Sequence, residues 1–213
     1  MKKQNILAHR GLWNVRSEQN SINVLMKAIE NGFGIETDIR DLNQNLVISH
    51  DPPDTHAPLL KDLLEKLIST EIPNGRISLN VKSDGLSSTL KDMTRGIDNS
   101  NIFFFDMSIP DHYNYIKHDL PTYSRVSDVE HQIAFEEAVS GIWLDNFGGK
   151  FEQVSVAKQM LINGFSVAFV SPELHKRSYE AIWREIKEHG LHKFDNFELC
   201  TDHPELAFEF FGD

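Results

Sequence analysis

The strongest constraint on the fold of this chain is an order of elements. Along its 213 residues, short runs rich in Ile, Val and Phe alternate with longer segments in which apolar residues recur at helical spacing. When a helix separates each strand from the next, neighbouring strands pair through crossovers, and crossovers build parallel sheets. Extended runs at 5–8, 34–39, 77–81, 101–105, 121–124, 141–145, 165–170 and 197–201 supply eight strands. Helical segments are expected at 21–30, 59–68, 86–96, 111–116, 129–138, 151–162 and 174–189, with a last one after His203-Pro204. In the first of these, Ile22, Leu25, Met26 and Ile29 share one face and Asn31-Gly32 provides the stop. Asn163-Gly164 and Gly190 stop two later helices, and Pro73-Asn74-Gly75 reads as a turn. Eight strand–helix units predict an α/β fold, a (β/α)₈ TIM barrel, with an open doubly wound sheet as the alternative arrangement of the same units.

The second unit carries an insertion at about 40–58. Asp41-Leu42-Asn43-Gln44-Asn45 is turn-like, residues 46–49 are extended again, and Pro52-Pro53 breaks the run. The chain otherwise reads as one compact domain over 1–213.

Composition narrows the function classes. Hydrophobic residues make up 40% and charged ones 25%, which suits a globular chain with a continuous core. The net charge of −11 repels polyphosphate and anionic lipid surfaces, so nucleic acid is not an expected partner. No apolar run approaches the roughly 18 to 20 residues of a membrane span, and Ile6-Leu7-Ala8, ending at His9 and Arg10, is too short for an export signal. The single cysteine, Cys200, cannot form an internal disulfide. A soluble, cytoplasmic protein is expected, with monomer and dimer equally allowed.

In a parallel barrel the chemistry lies at the carboxyl ends of the strands. The first strand ends in His9-Arg10-Gly11, the second in Glu36-Thr37-Asp38, its extension in His50-Asp51, and the third in Asn80-Val81-Lys82. Residues two apart in a strand face the same side, which puts Glu36 beside Asp38 and Asn80 beside Lys82. Paired carboxylates repel unless a cation lies between them, and oxygen donors favour Mg²⁺ or Ca²⁺. Arg10 and Lys82 suit phosphate oxygens, and His9 and His50 can move protons near neutral pH. Together these groups suit cleavage of a phosphodiester, whose negative charge must be neutralised before attack.

These motifs resemble a known family. Ala8-His9-Arg10-Gly11, Asn20-Ser21, Glu36-Thr37-Asp38 and His50-Asp51 are similar in order and spacing to the opening of the glycerophosphodiester phosphodiesterases. Asn80-Val81-Lys82 stands where that family has Glu-x-Lys, and Thr201-Asp202-His203-Pro204 is similar to its closing Thr-Asp-x-Pro. The resemblance implies a barrel with one divalent cation on Glu36, Asp38 and Asn80, His9 and His50 as the acid/base pair, and Arg10 and Lys82 on the phosphate. It also implies a glycerophosphodiester as substrate, a place in lipid metabolism, and kinship with sphingomyelinase D-type enzymes, in which a substrate hydroxyl can attack to give a cyclic phosphate. Two departures stand out. Gln19-Asn20-Ser21 replaces Glu-Asn-Thr/Ser, and Asn80 replaces an acid, so the alternative is a weak or inactive barrel that binds a phosphorylated ligand.

Other residues have plainer expectations. Phe103-Phe104-Phe105 reads as a strand packed on both faces, Trp143 as core, and Cys200 as buried and inert. Asp106 is a weak site residue, and Asp145 with Trp143 could line a leaving-group pocket. Arg10 and Lys82 could form ion pairs with Glu36 or Asp38, and Asn80 a plain hydrogen bond. Asp202 and Pro204 read as a helix start, and His112, His131, His175 and His189 show no ligand spacing.

Overall fold

A computed structural model describes residues 1–69 and 75–212. The turn expected at Pro73 and Asn74 lies outside them. Among the described residues nine strands form: β1 Ile6–His9, β2 Gly34–Leu42, β3 Asn45–Ile48, β4 Ile77–Val81, β5 Ile102–Phe105, β6 Tyr123–Val126, β7 Gly141–Leu144, β8 Ser166–Val170 and β9 Phe197–Thr201. Eight of them run in the order β5-β4-β2-β1-β9-β8-β7-β6, all neighbours parallel, with β3 antiparallel on β2. The ring closes between β5 and β6 through a Phe104–Thr122 bridge, in which the Phe104 amide donates to the Pro121 carbonyl at 2.9 Å. The fold is the expected (β/α)₈ barrel.

Helices α1 Ile22–Glu30, α2 Leu60–Ser69, α3 Ser87–Met93, α4 Ile109–Lys117, α5 Gln153–Ile162, α6 Glu180–Glu188 and α7 Pro204–Phe211 follow strands. Strand alternation divides the apolar residues into two cores. Ile6, Ala8, Ile35 and Phe104 face the helices, whereas Leu7, Phe103, Phe105, Tyr123, Trp143, Ala168, Val170 and Cys200 fill the barrel. The triple-Phe strand therefore packs on both faces, as expected, and Trp143 stacks on Phe105 with ring centroids 3.8 Å apart. At the floor of the barrel Arg76 pairs with buried Glu198 and with the Tyr123 hydroxyl.

The insertion is a hairpin. β2 runs on to Leu42, and Asn43 and Gln44, both with positive φ (50° and 66°), turn the chain into β3. Two positive-φ residues in a two-residue loop match the right-handed twist of the flanking strands.

Two expected helices differ. Residues 129–138 are irregular. Ser127 Oγ accepts the Val129 and Glu130 amides, Ser124 Oγ accepts the Ala134 amide, and Phe135 has φ 54°. These side-chain acceptors offer the backbone a local alternative, and a left-handed Phe ends any helical run. Over 174–189, helix begins only at Glu180; Pro172–His175 is a separate 3₁₀ turn closed by Lys176 at φ 60°. That turn moves His175 from a helix surface to the barrel mouth.

Candidate active site

Register assembles the site. Parallel pairing sets His9 opposite Glu36 and Asp38 opposite Asn80, so these four share the inner face at the carboxyl end. Next to β1, Arg10 adopts φ 58° and Gly11 φ 96°. A Cβ on Gly11 would lie 2.7 Å from Val24 Cγ2 and 2.8 Å from the Val24 carbonyl carbon, so only glycine lets the β1–α1 loop press against α1.

His9, Arg10, Glu36, His50, Asn80 and Lys82 line one cavity of about 450 Å³. Asp106, Arg125, Asp145, His175 and Asp202 complete much of its wall. Asp38 is fully buried beneath it.

Each ionisable group has defined partners. His9 Nδ1 lies 2.6 Å from Asp202 Oδ1, and its Nε2 is 3.9 Å from Glu36 Oε2. Burial pulls the imidazole pKa down, but the Asp202 hydrogen bond and the Glu36 and Asp202 charges outweigh it and leave it above the ordinary histidine value. Burial, then the neighbouring Asp38 carboxylate, push Glu36 up to about 7. Asp38 is paired with Arg10 at 2.9 Å and Lys82 at 3.7 Å, and Lys82 also reaches Asp106 at 3.4 Å. Asp106 in turn pairs with Arg125 at 3.0 Å. Both expected cations thus form ion pairs with Asp38 while lining the cavity. His50 is the most open member, its side chain 47% exposed and 2.9 Å from Asp51.

Asn20 has a supporting role. Its amide donates to Asp38 Oδ2 at 3.0 Å while its carbonyl oxygen accepts the Thr37 hydroxyl at 2.8 Å. Asn80 donates to Glu36 Oε1 at 3.3 Å, the plain hydrogen bond weighed for it, and its own Oδ1 is left over.

Three buried oxygens, Glu36 Oε2, Asp38 Oδ1 and Asn80 Oδ1, lack any hydrogen-bond partner among the described residues, although Lys82 Nζ stands 3.7 Å from Asp38 Oδ1 and His9 Nε2 3.9 Å from Glu36 Oε2. Orphaned buried acceptors on neighbouring strands are costly unless a cation meets them, and an all-oxygen set is what Mg²⁺ and Ca²⁺ take. The residues fit such an ion. Among the described residues no group of three His, Cys, Asp or Glu could hold a metal, so an ion at this place would need the Asn80 amide oxygen beside the two carboxylates.

Two residues differ from their sequence expectation. Asp202 binds His9 and does not cap α7, whose N-cap position belongs to His203. His175 Nε2 lies 2.6 Å from Asp145 Oδ1, a second imidazole–carboxylate pair on the cavity wall. Both carboxylates follow strand ends, the same positional rule that singled out His9, and Arg125 follows the run expected at 121–124 in the same way; His175 carries no comparable signal. Cys200 is buried inside the barrel and its thiol is pushed well up by burial, as expected of an inert cysteine.

The architecture matches solved structures over nearly its whole length. A Galdieria sulphuraria protein assigned as a glycerophosphodiester phosphodiesterase superposes with a TM-score of 0.74 at 17% identity, over 98% of this chain and 97% of that one. The Agrobacterium tumefaciens glycerophosphodiester phosphodiesterase gives 0.66 at 16%, over 97% and 99%. This chain has their fold. A Ca²⁺-dependent phosphatidylinositol-specific phospholipase C from Streptomyces antibioticus gives 0.58 at 9%, over 97% and 98%. No protein-family model matches the chain, and no curated protein matches it either.

Proposed function

We propose that this protein is a divalent-cation-dependent phosphodiesterase that cleaves a small glycerophosphodiester into glycerol phosphate and an alcohol. The observation that carries the reading is the convergence of three orphaned oxygens, on Glu36, Asp38 and Asn80, with Arg10, Lys82, His9 and His50 around one cavity. Phosphodiester cleavage is also the chemistry named for the structural neighbours.

Glu36, Asp38 and Asn80 would hold the ion. A Mg²⁺ or Ca²⁺ ion bound there supplies charge neutralisation to the phosphate as it is attacked. Arg10 and Lys82 turn toward the phosphate oxygens from their places beside Asp38 and hold the group in line. His9, gripped through Nδ1 by Asp202, carries a proton at Nε2, the nitrogen nearer the centre of the site. His50, open at the mouth, makes the second transfer. One imidazole takes the proton of the attacking hydroxyl as its oxygen bonds to phosphorus. The other protonates the departing alkoxide as the P–O bond breaks. The attacking hydroxyl is water in hydrolysis, or a neighbouring substrate hydroxyl where a cyclic phosphate forms.

A second reading is favoured by the Asn80–Glu36 hydrogen bond, through which the two groups partly satisfy each other. On that reading the barrel binds a phosphorylated ligand without turning it over. Alcohol release from glycerophosphocholine, with Mg²⁺, with Ca²⁺ and with EDTA, separates the two. Release that EDTA stops is expected. Glu36→Ala and Asp38→Ala should weaken cation binding in a calorimetric titration, and Asn80→Asp should tighten it by adding charge. Turnover that persists in EDTA, or unchanged cation affinity in both alanine variants, overturns the metal role. Binding of glycerol phosphate with no alcohol released from any ester supports the second reading.

A further inference from the structure

His50 and Lys82 reach the central cavity from different segments, and one side chain bonds to the main chain of both. Along β2, Glu36, Asp38 and Arg40 fall on the same side of the strand, two residues apart. Glu36 and Asp38 are buried inside the barrel, whereas Arg40 is only partly buried. The pairing of β2 with β4 runs to Ile39 and Val81, which brings Lys82 level with Arg40. Arg40 Nη1 donates to the Lys82 carbonyl at 3.0 Å, and Arg40 Nε donates to the His50 carbonyl at 2.9 Å.

The second bond has weight because His50 lies beyond the ladder. β3 ends at Ile48, and past it the Ser49 amide makes one more bond to β2, at the Asp38 carbonyl, 3.0 Å away. The next contacts are local: Ser49 Oγ donates to the Asp51 carbonyl at 2.7 Å, and the His50 ring lies 2.9 Å from the Asp51 carboxylate. Among the described residues, the Arg40 guanidinium makes the one hydrogen bond from another segment to the His50 main chain.

The residue type suits that task. Arg10, Arg76 and Arg125 each pair with a carboxylate, but Arg40 gives two donors to main-chain carbonyls, 10 and 42 residues away in the chain. A guanidinium carries its N–H groups in a rigid plane, so two carbonyls bonded to it are held at one separation. An ammonium on a flexible stem has the same charge without that constraint. His50 and Lys82 both line the central cavity and Arg40 does not, so its influence passes through them.

We propose that Arg40 is a positioning residue for the reaction, its guanidinium setting the separation between the His50 imidazole, which moves a proton, and the Lys82 ammonium, which holds the phosphate. The inference rests on the phosphodiesterase reading of the central cavity and adds to it the group that keeps two of its members in register. Phosphoryl transfer depends on alignment, so loosening this link lowers kcat and weakens phosphate binding together.

Arg40→Gln and Arg40→Lys test it on glycerophosphocholine, with inorganic phosphate as the competing anion. Both should lower kcat by about tenfold or more and raise the phosphate inhibition constant. Lysine should do no better than glutamine, because charge without the fork does not join two carbonyls; full recovery in Arg40→Lys overturns the inference. A double-mutant cycle separates positioning from general stabilisation. In a His50→Ala background, Arg40→Gln should cost kcat much less than it does in the wild type, since the group it places is gone, and an equal cost in both backgrounds overturns the inference. A wild type that hydrolyses no ester would defeat the phosphodiesterase reading instead, and the link is then decided without turnover. The His50 ring resonances should shift or split in both Arg40 variants while those of His175, on a strand connection across the barrel, stay in place. Unchanged His50 signals, or His175 signals that move equally, overturn the proposal.

Discussion

His9 illustrates how much a single buried hydrogen bond can set. Its Nδ1 contact with Asp202, at 2.6 Å, fixes the ring and directs Nε2 toward Glu36. Asp202→Asn keeps the shape but removes the charge that supports a protonated imidazole, so kcat should fall by about 10²-fold or more. His9→Ala and His50→Ala should each lose turnover, on the order of 10²- to 10⁴-fold. Steady-state kinetics on folded protein checks all three, and wild-type turnover in either alanine variant would remove that histidine from the mechanism. Lone residues of this kind were partly legible beforehand. His9, Glu36, Asp38 and Asn80 sit at strand ends, and strand ends can be located from apolar periodicity. Asp202 sits at one too, but proximity to His203-Pro204 made it resemble a helix start.

At the scale of elements, the β1–α1 connection has little freedom. Arg10 and Gly11 both lie at positive φ, and the Gly11 Cα faces the first turn of α1 with no room for a methyl group. Gly11→Ala should therefore destabilise the fold by about 1 to 3 kcal/mol from backbone strain, and by more from the contact with Val24. Because Arg10 and His9 precede it directly, substrate or phosphate affinity should weaken alongside the denaturation midpoint. Chemical denaturation, paired with a phosphate titration, reads both effects; a variant with the wild-type midpoint would show that the loop relaxes freely. The segment 127–140 is the complementary case. Its sequence has enough apolar residues for a helix, but Ser124 and Ser127 hydroxyls capture the amides a helix would need. Which amide a serine hydroxyl meets depends on where β6 and the segment lie, and that is set by packing.

Across the whole molecule, buried titratable groups link stability to pH in opposing senses. His112 has a folded pKa of about 4, below its ordinary value near 6.5. Between those values the unfolded chain binds more protons than the folded one. The His112 contribution is therefore fully present above about pH 6.5 and is lost as pH falls toward 4. Glu36, raised to about 7, acts the other way: between its ordinary value and 7 the folded protein holds the extra proton, so its contribution is lost as pH rises through that window. His112→Phe should abolish the first term alone. The difference in unfolding free energy between wild type and variant should therefore change with pH from 6.5 to 4, the variant gaining on the wild type as acid is added. Equal slopes in the two proteins would place the His112 ring in water.

The sequence by itself determined the eight parallel strands, most of the helices between them, and the rim stations of His9, Arg10, Glu36, Asp38, His50, Asn80 and Lys82; that the strands close into a barrel, not an open sheet, was its leading expectation. Each follows from periodicity and from the rule that parallel strands point their carboxyl ends one way, both of which are local or statistical in origin. The tertiary structure alone decided that Arg10 and Lys82 meet on Asp38, that Asp202 grips His9, and that His175 reaches Asp145. These contacts join residues from 28 to 193 positions apart, and their partners are chosen by register and by how the barrel closes. Such choices minimise the energy of the whole packed ring, so no stretch of sequence short enough to be read by pattern contains them.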